Sequence, residues 1–158
     1  LPGWVYPCTL ADIQARLAKL PEADLESLWA VGLAPSTRKD CHVHARYIPG
    51  ERPVIYIFSY VDTLVFKQPA NVKRSEVESG LVVELMYGME VECAGSRWLC
   101  RWNPENLRRF IVEHVLLHEV GHHVHYMQRA RQGIQRPPTK RDTEQFAEAY
   151  ALRHRSKQ

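Results

Sequence analysis

The stretch FIVEHVLLHEVGHHVHYMQR, Phe110 to Arg129, holds five of the chain's eight histidines and a glycine within one amphipathic helical pattern. Leu107, Phe110, Ile111, Val115, Leu116 and Leu117 recur at the spacing of a buried helix face. Asn103-Pro104 supplies the start: Asn as N-cap, Pro at the first helical position, and Glu105 beside the positive helix end. Gly133 and Pro137-Pro138 supply the stop, which predicts a helix over about 104–131. A second helix is predicted over about 142–155, with Phe146, Ala147, Tyr150 and Ala151 as its apolar side.

Within the first helix, His118-Glu119-Val120-Gly121-His122 is an HExxH motif. Histidines four apart share a helix face, about 6 Å apart along the axis. Both imidazoles then converge on one zinc ion at about 2 Å each. Glu119 lies near the same face, where its carboxylate reaches a water on the metal and not the metal itself. The same letters also suit a helix with solvated histidines, so a third ligand is needed. Gln128, ten positions after His118, stands where the longer HExxHxxGxxH pattern needs His and excludes that pattern. The segment TEQFAEAYA places Glu144 and Glu148 one helical turn apart, and Glu144 follows His122 by 22 residues, enough for a hairpin. Two His and one Glu leave a fourth position for water, as in catalytic zinc sites. Glu148 is then available to accept the other ring N–H of a ligand histidine. Spacing leaves the reverse assignment open, with Glu148 as ligand and Glu144 as support.

A glycine inside a helix costs about 1 kcal/mol relative to Ala, so Gly121 predicts close approach of another element beside the ligands. His114 is expected to pack against the sheet. His123 and His125 are expected at the polar surface or hydrogen-bonded behind the ligands. Tyr126 and Tyr150, near the motifs, are the candidate donors to an oxyanion. A CHVH cluster, Cys41 to His44, suits a metal and an alternating strand equally well.

Outward from the helices, Thr9 and Asp12 stand at capping-box spacing before a helix lined by Leu10, Ile13, Leu17 and Leu20. EADLESLWAVGL reads as a second short helix or turn ending near Gly32, so the helical N-terminal part covers about 9–32. Strands are predicted over about 41–102, with VIYIFSYVDTLVF rich in β-branched and aromatic residues. KQPANVKRSEVESG reads as a polar loop. Leu81, Val83, Leu85, Tyr87, Met89 and Val91 alternate as a half-buried strand, and a turn at Ala94–Ser96 returns the chain. Helices, strands and then two helices make an α+β domain over 1–158, a small mostly antiparallel sheet packed on the active-site helix and a glutamate helix.

Charged residues at 25% and apolar residues at 45% fit an ordinary globular domain. No run of about 18 apolar residues predicts a membrane span. The opening LPGWVYPC lacks a basic region followed by an apolar one, so no signal peptide and a cytoplasmic location are expected. Without an initiator Met, a segment of a longer chain also fits. Net charge is +3, yet Met127 to Gln158 carries eight Lys/Arg against three acids, an excess of five. A solvated tail is the expected use of that charge, with nucleic acid or an acidic partner as the alternative. The four cysteines form no CxxC pair. Cys93 and Cys100 flank the turn, where a disulfide is possible, and Cys8 is available as a thiolate to cap a metal; buried, reduced thiols are the default.

HEVGHH followed by EQFAEAYA resembles the gluzincin zinc metallopeptidases, whose second helix carries Glu-x-x-x-Asp or Glu-x-x-Ala-Asp. In size the chain is similar to the small ImmA/IrrE-like and minigluzincin members. The resemblance covers about the last 55 residues. It implies a zincin-like fold with a sheet of three or more strands, and a peptide laid along an edge strand. It implies His118, His122 and Glu144 as zinc ligands and Glu119 as general base. Glu148 departs from the pattern, where the family often has Asp or Asn. The expected function is peptide-bond hydrolysis with one catalytic Zn²⁺. The alternative is a zinc-containing regulatory or binding module that acts on one specific protein partner, a DNA-associated one included, with little general proteolysis.

Overall fold

The computed structural model describes residues 4–36, 43–61, 63–67, 72–95 and 97–156. Cys41 and His42 of the CHVH cluster lie outside them. The chain opens with β1 (Trp4–Val5), α1 (Leu10–Leu17) and α2 (Glu22–Leu25). Four strands follow: β2 (Ala30–Ala34), β3 (Ala45–Ile48), β4 (Val54–Phe58) and β5 (Tyr60–Val61). Next come β6 (Thr63–Lys67), α3 (Arg74–Ser79), α4 (Val82–Met86), β7 (Glu90–Ala94) and β8 (Arg97–Arg101). α5 (Pro104–Phe110), a π-helical turn (Ile111–Val115) and α6 (Leu116–Arg131) form one continuous helix, and α7 (Lys140–His154) closes the order. The architecture is α+β.

The strands form three small sheets, where the sequence suggested one. β1 pairs antiparallel with β5, and β6-β8-β7 is an antiparallel meander. In the sheet β2-β4-β3, β4 is central, antiparallel to β3 and parallel to β2. β2 corrects the expected helix or turn ending at Gly32: Val31 and Leu33 register against Ile55 and Ile57, and the Trp29 N–H donates to the Pro53 carbonyl. Pairing with a buried strand decides this segment over its local signals. The expected strand from Leu81 is also corrected. Leu85 N–H donates to the Leu81 carbonyl, making α4, and Gly88 at φ +88° then turns the chain into β7. A run with apolar residues at alternate positions also contains an i,i+4 pair, and here the helical period governs its first half. The polar loop likewise contains α3.

α1 has the capping box foreseen at Thr9 and Asp12. Its Ile13 and the following Leu20 are buried, whereas Leu10 is exposed. Asn103 caps α5 by accepting from the Glu105 N–H. The core brings Ile55 and Ile57 of β4 against Ile111, Leu116, Leu117 and Val120 of the long helix, all without exposed surface. Trp102 stacks on Phe110 at 5.0 Å and joins this core to the β6-β8-β7 sheet. Arg16 is buried on α1. Its guanidinium pairs with Glu113 at 3.1 Å and donates to the His154 carbonyl, so its charge is matched and the end of α7 is held. Cys93 and Cys100 are free thiols; Cys93 opposes Trp98 and Cys100 opposes Val91, a register that keeps them apart. No helix among the described residues is long and apolar enough to cross a membrane.

Candidate metal centre

The long helix and α7 pack side by side, and Gly121 sets their distance. A Cβ at position 121 would stand 2.7 Å from the Ala147 Cα and 3.0 Å from both the Ala147 carbonyl oxygen and the Tyr150 Cβ. The two backbones therefore touch where the motif histidines face Glu144 and Glu148. The π turn directly precedes the motif, with the Leu116 N–H donating to the Ile111 carbonyl. One extra residue in a turn shifts the phase of everything upstream by about 100°. This π turn has no signature in the sequence pattern.

Glu144 Oε2 lies 3.2 Å from His118 Nε2 and 3.9 Å from His122 Nε2. One ligand atom from each of these three residues falls within 4.8 Å of the others. Neighbouring ligands of a tetrahedral ion with bonds of about 2.0–2.1 Å stand about 3.3 Å apart, so this spacing fits one small cation. Imidazole with carboxylate is a donor set that suits zinc. His122 is held down at about 4, by burial and then by the charge of His118, so it is the neutral imidazole a metal requires. Burial works against the His118 cation, yet contact with Glu148 and the charges of Glu119, Glu144 and Glu148 together raise its pKa.

Glu148 meets the other side of the same ring. Its Oε2 is 3.5 Å from His118 Nδ1 and 3.3 Å from His114 Nε2. His114, His118 and Glu148 thus form a second cation-sized group. The two groups share His118 through different ring nitrogens, and a neutral imidazole has a lone pair on only one of them, so the ring serves one cation at a time. Glu144 is the carboxylate that faces both motif histidines. Contact with His114 and then His118 holds the Glu148 carboxyl down at about 2, so it stays an anion able to accept both ring N–H groups. His114 does more than pack: it stacks on Phe110 and also reaches Glu148.

Glu119 is buried beside His118 and accepts the backbone N–H of Tyr47 in β3 at 2.6 Å. Burial raises its pKa, partly offset by His118, the Tyr47 amide and Arg46. No family model, curated protein or solved structure matches the chain. The site is therefore read from its own geometry.

Of the two positions expected for His123, the polar surface is excluded, since the residue is fully buried. Its Nε2 donates to the Glu26 carbonyl at 2.9 Å, which leaves Nδ1 to accept from the Tyr47 hydroxyl at 3.3 Å. His123 thus fixes the strand residue whose amide holds Glu119, a role no spacing rule announces. Tyr150 is also placed elsewhere: its hydroxyl donates to Asp24 at 2.7 Å and its ring stacks on His154. Tyr126 is 44% exposed and lines the cleft with Glu119 and His122. His125 lines the same cleft and stacks on Phe146. Cys8 is buried next to Asp12 and Arg108, and burial pushes its thiol up to about 11, so a metal-capping thiolate is not favoured there.

Proposed function

We propose that the protein is a zinc-dependent metallopeptidase of gluzincin-like, zincin-like design, with His118, His122 and Glu144 as ligands. The observation that carries this reading is the convergence of those three donors at cation spacing, with His122 and Glu144 on the wall of an open cleft and Glu119 buried alongside. When bound, zinc supplies Lewis acidity to a water and to the scissile carbonyl. The chain's own groups supply the rest. Glu119 takes the proton of the attacking water and passes it to the leaving amine. The Tyr47 amide keeps that carboxylate aimed, and its raised pKa brings it closer to the working range of a base. Glu148 stands 3.5 Å from His118 Nδ1, the side from which it would accept that N–H and so direct Nε2 to the metal. Tyr126 is the hydroxyl in the cleft available to a developing oxyanion.

Part of the basic excess near the C-terminus is used within the fold. Arg131 pairs with Glu26, which matches one charge of that excess. The test is Glu119→Gln assayed for zinc content and for cleavage of an unfolded protein. The variant should hold one zinc per chain while hydrolysis falls by about 10²–10⁴-fold, the scale of general-base catalysis. Unchanged turnover removes Glu119 from its role, and a wild-type chain that binds no zinc removes the reading.

A further inference from the structure

The cleft beside the candidate metal centre encloses about 730 Å³ between β3, the second half of α6, the 134–138 loop and the start of α7. Its lining is apolar along Tyr126 and Ile134 and cationic at Arg46, Arg129 and Arg136. The acids among its described lining residues are Glu119 and Glu144, both at the metal end. Arg46 is near enough to act on Glu119 electrostatically. At the far end the Arg129 guanidinium donates to the Arg136 carbonyl, which ties the loop to α6 and fixes where the Arg136 side chain departs. Thr143 of α7 completes the lining between that loop and Glu144. A cationic recess with an apolar wall suits an anion on a short aliphatic stem. A lysine or arginine there would meet like charge in a partly enclosed space.

We propose that this cleft selects peptide segments with an acidic side chain close to the scissile bond, its stem on Tyr126 and Ile134 and its carboxylate between Arg129 and Arg136. The proposal rests on the metallopeptidase reading and adds the class of substrate to it.

The experiment uses end-capped peptides that differ at one position, as Glu, Gln, Leu or Lys, placed in turn on each side of the bond. With the zinc-loaded protein, kcat/KM for the best Glu peptide should exceed its Gln and Leu counterparts by about tenfold and its Lys counterpart by more. The preference should shrink as salt rises. Arg136→Glu should bring the Lys peptide level with or above the Glu peptide without loss of zinc. The same peptides, fluorescently labelled, are also titrated into Glu119→Gln, so that recognition is read without turnover. Cleavage with no preference for Glu, or a preference that Arg136→Glu leaves intact, overturns the substrate class and spares the peptidase. Arg136-dependent binding of the Glu peptide with no cleavage by the wild type does the reverse. Preference that appears only when the C-terminus is uncapped also overturns it, because the carboxylate would then be the chain's own end.

Discussion

A methyl group on residue 121 would meet backbone, not a flexible side-chain end, at 2.7–3.0 Å from Ala147 and Tyr150. In a solvent-facing helix, Gly→Ala gains up to about 1 kcal/mol from propensity. Here α7 would have to withdraw, and overpacking of this kind costs about 1–3 kcal/mol. Because the contact is with the body of α7 and cannot relax by a side-chain swing, the upper part of that range, about 2–3 kcal/mol, applies, and Gly121→Ala is expected to destabilise the fold by roughly 1–2 kcal/mol in urea unfolding after a gain of about 1 kcal/mol is subtracted. It should also weaken zinc binding, since α7 carries Glu144. A variant as stable as the wild type would show that the helices do not rest on each other at this point. The close approach was legible in advance, because a glycine amid good helix formers needs a steric reason. His123 was not legible, because its importance comes from Glu26 and Tyr47, which the chain brings from far away in sequence.

α7 presents two carboxylates one turn apart to the two nitrogens of His118. That a pair of acids faces the motif can be read from i,i+4 spacing alone. Which acid meets which nitrogen depends on the axial offset of two helices, and the offset is set by the contact at Gly121 and by the anchors of α7. Tyr150 bonds Asp24, and the His154 carbonyl accepts from Arg16, so the helix is held against sliding. From this register, Glu144→Ala removes a ligand and should lower zinc affinity by well over 100-fold. Glu148→Gln removes a partner behind a ligand, for which about 10–100-fold is expected. Competition against a chromogenic chelator measures both. A greater loss for Glu148→Gln than for Glu144→Ala would reverse the assignment. The same element scale explains the misread segment from Leu81: alternation and helical spacing overlap in a short apolar run, and Gly88 at positive φ divides what looked continuous.

Across the whole molecule, the helical hairpin, its Asn103 cap and the capping box of α1 were legible because their signals are local: Asn103-Pro104, the Thr9–Asp12 box, and two stretches of helical period. The sheet partners were not. β2 is a strand because β4 lies beside it, and the division into three small sheets depends on contacts between distant segments. The candidate ligands join the two local units, with His118 and His122 on α6 and Glu144 on α7. A metal held there links the hairpin across its open side and binds the folded chain far better than the unfolded one. With free zinc at about 1,000 times its dissociation constant, linkage adds about 4 kcal/mol to stability. In a chain of this length each kcal/mol moves the melting temperature by about 2–4 °C, so stripping the zinc should lower it by roughly 8–16 °C. Calorimetry with and without a strong chelator gives the shift, and readdition of zinc should restore it. His122→Ala should melt near the chelated wild type and respond to neither treatment, which separates loss of the metal from any direct action of the chelator on the fold. Equal melting temperatures for the wild type in zinc and in chelator would mean that no ion joins the two helices, and the reading of this hairpin as a metal centre would fall.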